Sequence, residues 1–374
     1  WLATASIENK AKDNYNKLSL KPGESTSCFV LFGPVDAKEV TVFVPQAGFV
    51  TVNVLDSSAA AASGIDFKAM DKAFKNVDNL SYNKYKTAPN PALATPVPIE
   101  RYTKALDDST STHAGSKDIT VTLASDVTFA SDSADLASGA ETQLETVVGQ
   151  LAQYPDGGTL TIVGHTDDVQ DDAYNQTLSE KRANAVKTRL EQLTKLDKWQ
   201  TSVSGKGESQ PKINDTTDEA RAANRRVEIT LTPTGGTAPK NTTTPNSSSG
   251  KLPDPQGPVA KGTEGVTVKN DSGNGQLTIT IDHVTRTNGY LLGQLHTTIS
   301  AKKNSAPNLH AWFKDKEGIF ITNSRGEDGS DEATTYAADG LTLLAGGERI
   351  YPADYRDAGF KTHVPLTELQ LTPH

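Results

Sequence analysis

Residues 233–258 run from Pro-Thr-Gly-Gly to Pro-Gln-Gly-Pro through a low-complexity stretch of Thr, Asn, Ser, Gly and Pro. A segment of that composition buries too little apolar surface to offset the entropy of ordering it. No single core can span it, so the chain must fold as separate units on either side. The stretch reads as a disordered linker with a typical reach of roughly 30 Å. A second boundary falls at residues 87–117, where Pro89, Pro91, Pro96 and Pro98 punctuate a Pro/Ser/Thr-rich connector with a short ordered stretch near Tyr102. A length of 374 residues fits this division into domains.

Residues 1–86 mix two periodicities and predict an α+β domain. Val40, Val42 and Val44 alternate with polar residues, and Phe49 to Leu55 is strand-like. Ile65, Phe67, Met70, Phe74 and Val77 approximate helical spacing, with Met70 as core filler. Residues 259–374 carry short apolar alternations at Leu277, Ile279 and Ile281, and strand-like stretches at 309–313 and 318–322. Turn pairs separate them at Asn288-Gly289, Glu317-Gly318 and Asp339-Gly340, which predicts an all-β, immunoglobulin-like sandwich.

Charge and cysteine usage narrow the function classes. The chain holds 37 Lys+Arg against 46 Asp+Glu, a formal charge of −9, and most of that excess falls within residues 118–232. No basic footprint for a nucleic acid is present. The one cysteine, Cys28, precedes an apolar run and reads as a buried core residue, so no disulfide framework is available within the chain. The first residues, Trp1-Leu2-Ala3-Thr4-Ala5, read as the end of a removed signal peptide or membrane anchor. An anchor upstream of Trp1 is therefore an expectation. No apolar run approaches the ~18 residues that would span a bilayer.

Residues 118–232 are the informative third. Ile119 to Leu123 alternates as a strand, and Ser138-Gly139-Ala140-Glu141 has capping-box spacing ahead of an apolar stripe at Leu144, Val147, Val148 and Leu151. Thr159 to Val163 is a strand, and Gly164-His165-Thr166-Asp167 leaves its end. In the next helix Leu178, Arg182, Val186 and Leu190 fall in one row. A guanidinium on that inward face is costly unless an anion meets it. A strand at Val203-Ser204 leads to Gly205-Lys206-Gly207-Glu208. A second capping box at Thr216–Glu219 then opens a helix ending near Asn224-Arg225-Arg226, with Arg226 facing solvent. Val227, Ile229 and Leu231 alternate as a last strand. The order is β-α-β-α-β, with a helix before the final strand, which is an α/β fold.

Five blocks in this region carry a resemblance. They are Val127-Thr128-Phe129 with Ser133-Ala134-Asp135-Leu136, Gly164-His165-Thr166-Asp167, Asn175-Gln176-Thr177-Leu178-Ser179-Glu180-Lys181-Arg182-Ala183, Gly205-Lys206-Gly207-Glu208 and Asn224-Arg225-Arg226-Val227-Glu228. In this order they resemble the OmpA/MotB C-terminal domain family. The resemblance implies a mixed-sheet peptidoglycan-binding domain at 118–232 that clamps the diaminopimelate side chain. Asp167 would take its ammonium and Arg182 its carboxylate, with Asn175 and Arg225 helping to hold the ligand and Asp132 bordering it. The chemistry fits a zwitterion, because a carboxylate suits an ammonium and a planar fork suits a carboxylate. The loop Asp168-Val169-Gln170-Asp171-Asp172 departs from the small and glycine residues common in the family at that point.

Simpler roles stand beside these. Asp167 and Arg182 could form a purely structural ion pair. His165 reads as a structural histidine, since no second His or Cys lies at ligand spacing. The acidic loop lacks the order of an EF-hand. No metal, cofactor or catalytic residue is therefore expected. The sequence predicts a non-catalytic, secreted or outer-membrane protein of the cell envelope. Peptidoglycan is its partner, and its flanking domains reach other envelope proteins. A membrane stator-like complex and a wall-modifying enzyme with its active site in a flanking domain are the alternatives.

Overall fold

The computed structural model describes residues 5–7, 29–31, 38–44, 48–54, 98–130, 132–237, 252, 254–255, 257–269, 275–287, 290–301, 325, 327, 341–345, 347–356 and 362–365. The chain divides into two units, one from Trp1 to Val97 with Asp357–Gly359, and one from Pro98 to Arg356 with Phe360–His374. In the first, β1 (Ala5–Ile7) pairs antiparallel with β2 (Phe29–Leu31), and β3 (Glu39–Val44) forms a hairpin with β4 (Gly48–Asn53). The alternating valines form the first strand of that hairpin, Val40 opposite Val52 and Val42 opposite Val50. Cys28, Met70, the helical spacing at 65–77, the stretches at 309–313 and 318–322, and most of the linker lie outside the described residues.

The second unit is built on β5 (Arg101–Ala105), β6 (Thr110–Ala114), β7 (Ile119–Ala124), β8 (Gly158–His165), β9 (Trp199–Gly205) and β10 (Arg226–Pro233). Its helices are α1 (Ser125–Thr128), α2 (Ala140–Ala152), α3 (Asp172–Leu193) and α4 (Asp218–Asn224). Further along come β11 (Val266–Lys269), β12 (Gly275–Thr287), β13 (Tyr290–Ala301), β14 (Leu343–Ala345), β15 (Glu348–Ile350), β16 (Asp354–Tyr355) and β17 (Val364–Pro365). One eight-stranded sheet has the order β14-β15-β5-β6-β7-β10-β8-β9. Only β8 and β9 run parallel, and α3 supplies the crossover that parallel neighbours require. The α/β mixed sheet read from residues 118–232 is one half of it, β7-β10-β8-β9, with β9 at the edge.

Two features differ from the sequence expectations. Strands β5 and β6 lie inside the stretch read as a connector. Its Thr and Ser residues are strand-compatible, and Thr110, Thr112 and Ala114 alternate inward on β6. In addition, β15 pairs with β5, so part of the C-terminal third completes the central sheet. Elsewhere in that third, β11, β12 and β13 make a three-stranded antiparallel sheet. A junction of charged side chains reinforces the link. Glu100 Oε2 lies 2.5 Å from His113 Nε2, 2.9 Å from His363 Nε2 and 3.1 Å from Arg325 Nη1, while Arg325 also forks onto Asp354.

The core is a single layer between the sheet and two helices. Ile119, Val121 and Leu123 of β7, Leu160 and Ile162 of β8, and Val227, Ile229 and Leu231 of β10 are fully buried against Leu144 and Val147 of α2 and Val186 and Leu190 of α3. Intervening positions such as Thr120, Thr161 and Thr230 are half-buried, which is the period of two expected of a sheet with one packed face. Neither capping box forms as spaced. At α2, Ala140 N–H bonds the Ala137 carbonyl at 3.0 Å, so a backbone turn leads into the helix and Ser138 does not cap it. At α4, Asp215 accepts the N–H groups of Thr216 and Thr217, which moves the cap one residue on to Thr217.

The closest packing lies where α3 meets the ends of β8 and β9. A Cβ on Gly164 would overlap the Ser179 carbonyl oxygen, and one on Gly205 would overlap the Ser179 hydroxyl and the Glu180 amide. Ser179 Oγ accepts the Gly207 N–H at 2.9 Å and donates to Gln176 O at 2.8 Å, which clips the turn after β9 to the helix. Gly164→Ala should destabilise the domain by about 3 kcal/mol, because backbone rather than a flexible side chain must give way. Chemical denaturation of the variant checks this, and unchanged stability would mean that α3 can step back from the sheet.

Candidate functional site

The site is built at the C-terminal end of β8. Thr166 is buried and its N–H reaches Gly207 O at 2.9 Å, after which Asp167 emerges with its side chain 14% exposed. The loop then turns into α3, where Asp171 caps the helix by accepting the Tyr174 N–H at 2.9 Å. Asn175 is 1% exposed, and its amide nitrogen bonds Asp167 O at 3.1 Å, Gln170 O at 3.0 Å and Glu208 Oε2 at 2.6 Å. The residue assigned to ligand contact thus straps the Asp167–Gln170 loop to the helix and to the turn after β9. Asp168 pairs with Arg221 of α4 at 2.7 Å, a second tie on the same loop.

Asp167 and Arg225 are brought into direct contact, Oδ2 to Nη1 at 2.6 Å. Arg225 is shared with a carboxylate that the sequence did not single out. Its Nε and Nη2 fork onto the two oxygens of Asp126 at 2.7 and 2.6 Å. Asp126 lies in α1, directly after β7, and the Ser125 N–H bonds Arg225 O at 3.0 Å. The β7–β10 register, Ala124 opposite Arg226, therefore fixes the pair. These partners are 99 residues apart in sequence, and only the aspartate preceding the Val-Thr-Phe block could have hinted at it.

Arg182 lies where the row on α3 predicts, facing in and only 5% exposed, with Val186 and Leu190 fully buried beside it and Leu178 half-buried. Its Nε donates to Ser133 O at 2.9 Å, and its guanidinium lies 5.2 Å from the centre of the Phe129 ring. Among the described residues it forms no ion pair. Burial pulls its pKa down, opposed by the nearby carboxylates of Asp126, Asp132 and Asp167. Asp167 is bonded to Arg225 and not to Arg182. The structural ion pair between Asp167 and Arg182 does not form. Asp132 is exposed on the bordering loop, with a left-handed φ of 49°. Among the described residues, Asp167 thus has one oxygen closely bonded, and the Arg182 guanidinium has no ion-pair partner.

Arg226 departs from the solvent-facing expectation. It begins β10 instead of ending a helix, is 5% exposed, and is held by Glu228 at 2.6 Å and by the carbonyls of Asn224 and Gln210. Its register partner is His165, which is 2% exposed and has no hydrogen bond at either ring nitrogen. His165 is thus packed at the strand end. Among the described residues no group of three or more His, Cys, Asp or Glu could hold a metal ion, and no helix is long and apolar enough to cross a membrane.

The comparisons with known proteins fall on this same stretch. A family model described as the OmpA family matches residues 128–225. Residues 128–225 are an OmpA family domain. The matched region runs from the Phe129 loop to Arg225, so it holds Asp132, Asp167, Asn175, Arg182 and Arg225, while Asp126 lies just outside it. The chain is similar to outer membrane porin F of Pseudomonas aeruginosa, with 41% identity over 103 residues, 28% of this chain and 29% of that protein. It is also similar to the probable lipoprotein YiaD of Escherichia coli, with 34% identity over 116 residues, 31% of this chain and 52% of that protein. Among solved structures it is similar to the cell wall anchor of the T6SS from Pseudomonas aeruginosa, at 28% identity and a TM-score of 0.28, covering 32% of this chain and 83% of that one. The chain thus spans about a third to a half of the curated relatives named here.

The environment of His165 in the OmpA family domain has a pH consequence. Burial, then the charge of Arg226, lowers its pKa from 6.5 to about 4 against a smaller opposing pull from Glu228. The unfolded chain takes up a proton near pH 6.5 and the folded chain only near 4. Stability is therefore fully present above pH 6.5 and is lost progressively between 6.5 and 4, by up to about 3 kcal/mol. Denaturant midpoints at pH 7.5 and 5 should show this loss, and imidazole NMR shifts should show His165 still neutral at pH 5.5. A midpoint of titration near 6.5 would contradict the assignment.

Proposed function

We propose that the chain is a non-catalytic, extracytoplasmic protein of the cell envelope whose OmpA family domain binds peptidoglycan non-covalently. The contact is the zwitterionic end of the diaminopimelate side chain in the stem peptide, and binding tethers the flanking segments to the wall. The observation that carries this is Arg182, a buried guanidinium on the inward row of α3 with one backbone acceptor and no ion-pair partner among the described residues. A buried cation in that state is costly and marks a place for an anion. The neighbouring Asp167 has one oxygen bonded by Arg225 while the other receives only the Val169 N–H at 3.4 Å. A carboxylate beside a free fork is the complement of an ammonium beside a carboxylate.

In this reading Arg182 takes the ligand carboxylate through two N–H groups and Asp167 takes its ammonium. Arg225 steadies Asp167, Asn175 holds the loop that carries it, and Asp132 borders the opening. The outer-membrane names of porin F and related OmpA proteins support an envelope location. The N-terminal α+β segment and the immunoglobulin-like reading of 259–374 complete the proposal as parts that present or reach other envelope proteins.

Losing one partner of a desolvated charge pair typically costs about 2–5 kcal/mol of binding. Asp167→Ala should therefore nearly abolish affinity for a stem tripeptide ending in meso-diaminopimelate. Arg182→Lys should lose most of it, since an ammonium cannot make the two-pronged contact. A tripeptide ending in lysine should bind the parent protein much more weakly, having no distal carboxylate for Arg182. Calorimetry with the two tripeptides checks all three. Equal affinity for both, or a lysine variant that binds like the parent, would remove the fork mechanism.

A further inference from the structure

We infer that Asp126 is a specificity-determining residue of this site, because it keeps the fork of Arg225 occupied and so leaves Asp167 available to a ligand ammonium. The inference rests on the binding mode proposed above. Arg225 lies between two carboxylates and treats them unequally. Asp126 takes two of its nitrogens in a fork, Nε at 2.7 Å and Nη2 at 2.6 Å, and Asp167 receives only Nη1. The asymmetry is built into the sheet, since the Ser125 N–H bonds Arg225 O and Ala124 lies opposite Arg226. Asp126 and Arg225 are thereby placed beside one another whatever occupies the site.

Charge accounting gives the consequence. With Asp126 present, one carboxylate offsets Arg225, and the negative charge of Asp167 remains to face an incoming cation. With that charge removed, the nearest carboxylate for the freed fork is Asp167, which is already in contact and is less exposed than Asp126. A guanidinium that closes on both oxygens of Asp167 is the stronger arrangement. A ligand ammonium would then have to displace it. The carboxylate side of the site is separate: Arg182 is held by Ser133 O and stacked on Phe129, and neither contact involves Asp126. Removing a negative charge should leave carboxylate binding unchanged or improve it.

Three stem tripeptides separate the two sides when tested by calorimetry on the full chain. The first ends in meso-diaminopimelate. The second ends in 2-aminopimelate, which keeps the distal carboxylate and lacks the distal amine. The third ends in lysine, which keeps the amine alone. For Asp126→Asn the expected result is a loss of tenfold or more in affinity for the diaminopimelate peptide, with 2-aminopimelate affinity unchanged or raised. The preference between those two should thus fall at least tenfold, and lysine binding should weaken further. Asp126→Glu, which keeps the charge, should recover most of the preference. Misfolding would lower affinity for all three peptides together and leave the preference intact, and that outcome counts against the assignment. An unchanged preference in Asp126→Asn, with the parent protein selective, overturns the role of Asp126 alone. A parent protein that does not distinguish diaminopimelate from 2-aminopimelate overturns the proposed binding mode, and this inference with it.

Discussion

The approach of Ser179 to two glycines sets the geometry on which the site depends. Helix α3 lies so low on the ends of β8 and β9 that neither Gly164 nor Gly205 has room for a Cβ. That height places Asn175, Ser179 and Arg182, successive inward positions on α3, against the strand ends rather than above solvent. Asn175 can then strap the loop carrying Asp167, and Arg182 can reach Ser133 O and the Phe129 face on the far side. In the proposed reading, ligand-facing and packing roles thus alternate within one motif. The glycines and the serine set distance, and the aspartate and arginines use it.

The same division explains what the sequence could and could not reveal. The inward row on α3 was legible because a helix period is local, and an arginine among Leu178, Val186 and Leu190 announces itself without any partner. Strands β7, β8 and β10 were legible for the same reason, through alternation. The partner of Asp167 was not. Arg225 reaches it across a pairing of β10 with β8 that only the sheet order decides. Asp126 was less legible still, since its role needs β7 beside β10. Arg226 failed differently: a difference of two residues in where α4 ends changes a solvent-facing helix position into a buried strand position opposite His165. The cap at Thr217 moved because Asp215 competes for the same N–H groups.

Composition misled at residues 101–114, where threonine and serine suggested a connector but strands formed. The reason lies in what these strands pack against, which is distant in sequence. Glu100 meets His113, His363 and Arg325, and Arg325 meets Asp354. Burial raises the Glu100 pKa, but the two histidines and Arg325 more than offset it and hold the carboxyl well below the usual range. Burial likewise pulls His363 down, yet its bonds to Glu100 and Glu327 lift it to about 9. Glu100 and His363 thus hold one another in charged form against the desolvation that would neutralise each. Such a junction ties β5 and β6 to residues from the C-terminal third, and it gives a polar segment a reason to order that hydrophobic periodicity does not register.

Charge placement also separates how this domain could meet its ligand from how it could recognise it. Most of the chain's negative excess falls within residues 118–232. Long-range attraction toward a carboxylate-bearing polymer is therefore not the device, and at physiological ionic strength exposed charges are screened beyond about 8 Å in any case. Recognition must act at contact distance. Arg182 is suited to that because its exposure is only 5%, it has no ion-pair partner among the described residues, and carboxylates lie near it. In that setting a ligand carboxylate alone gains the fork but meets nearby negative charge from Asp126, Asp132 and Asp167. A ligand ammonium alone finds the carboxylate but leaves the buried guanidinium unpaired. In the proposed binding mode only a group carrying both charges at one terminus satisfies both demands, so selectivity would arise from an acidic surround and one buried cation, neither of which would discriminate without the other.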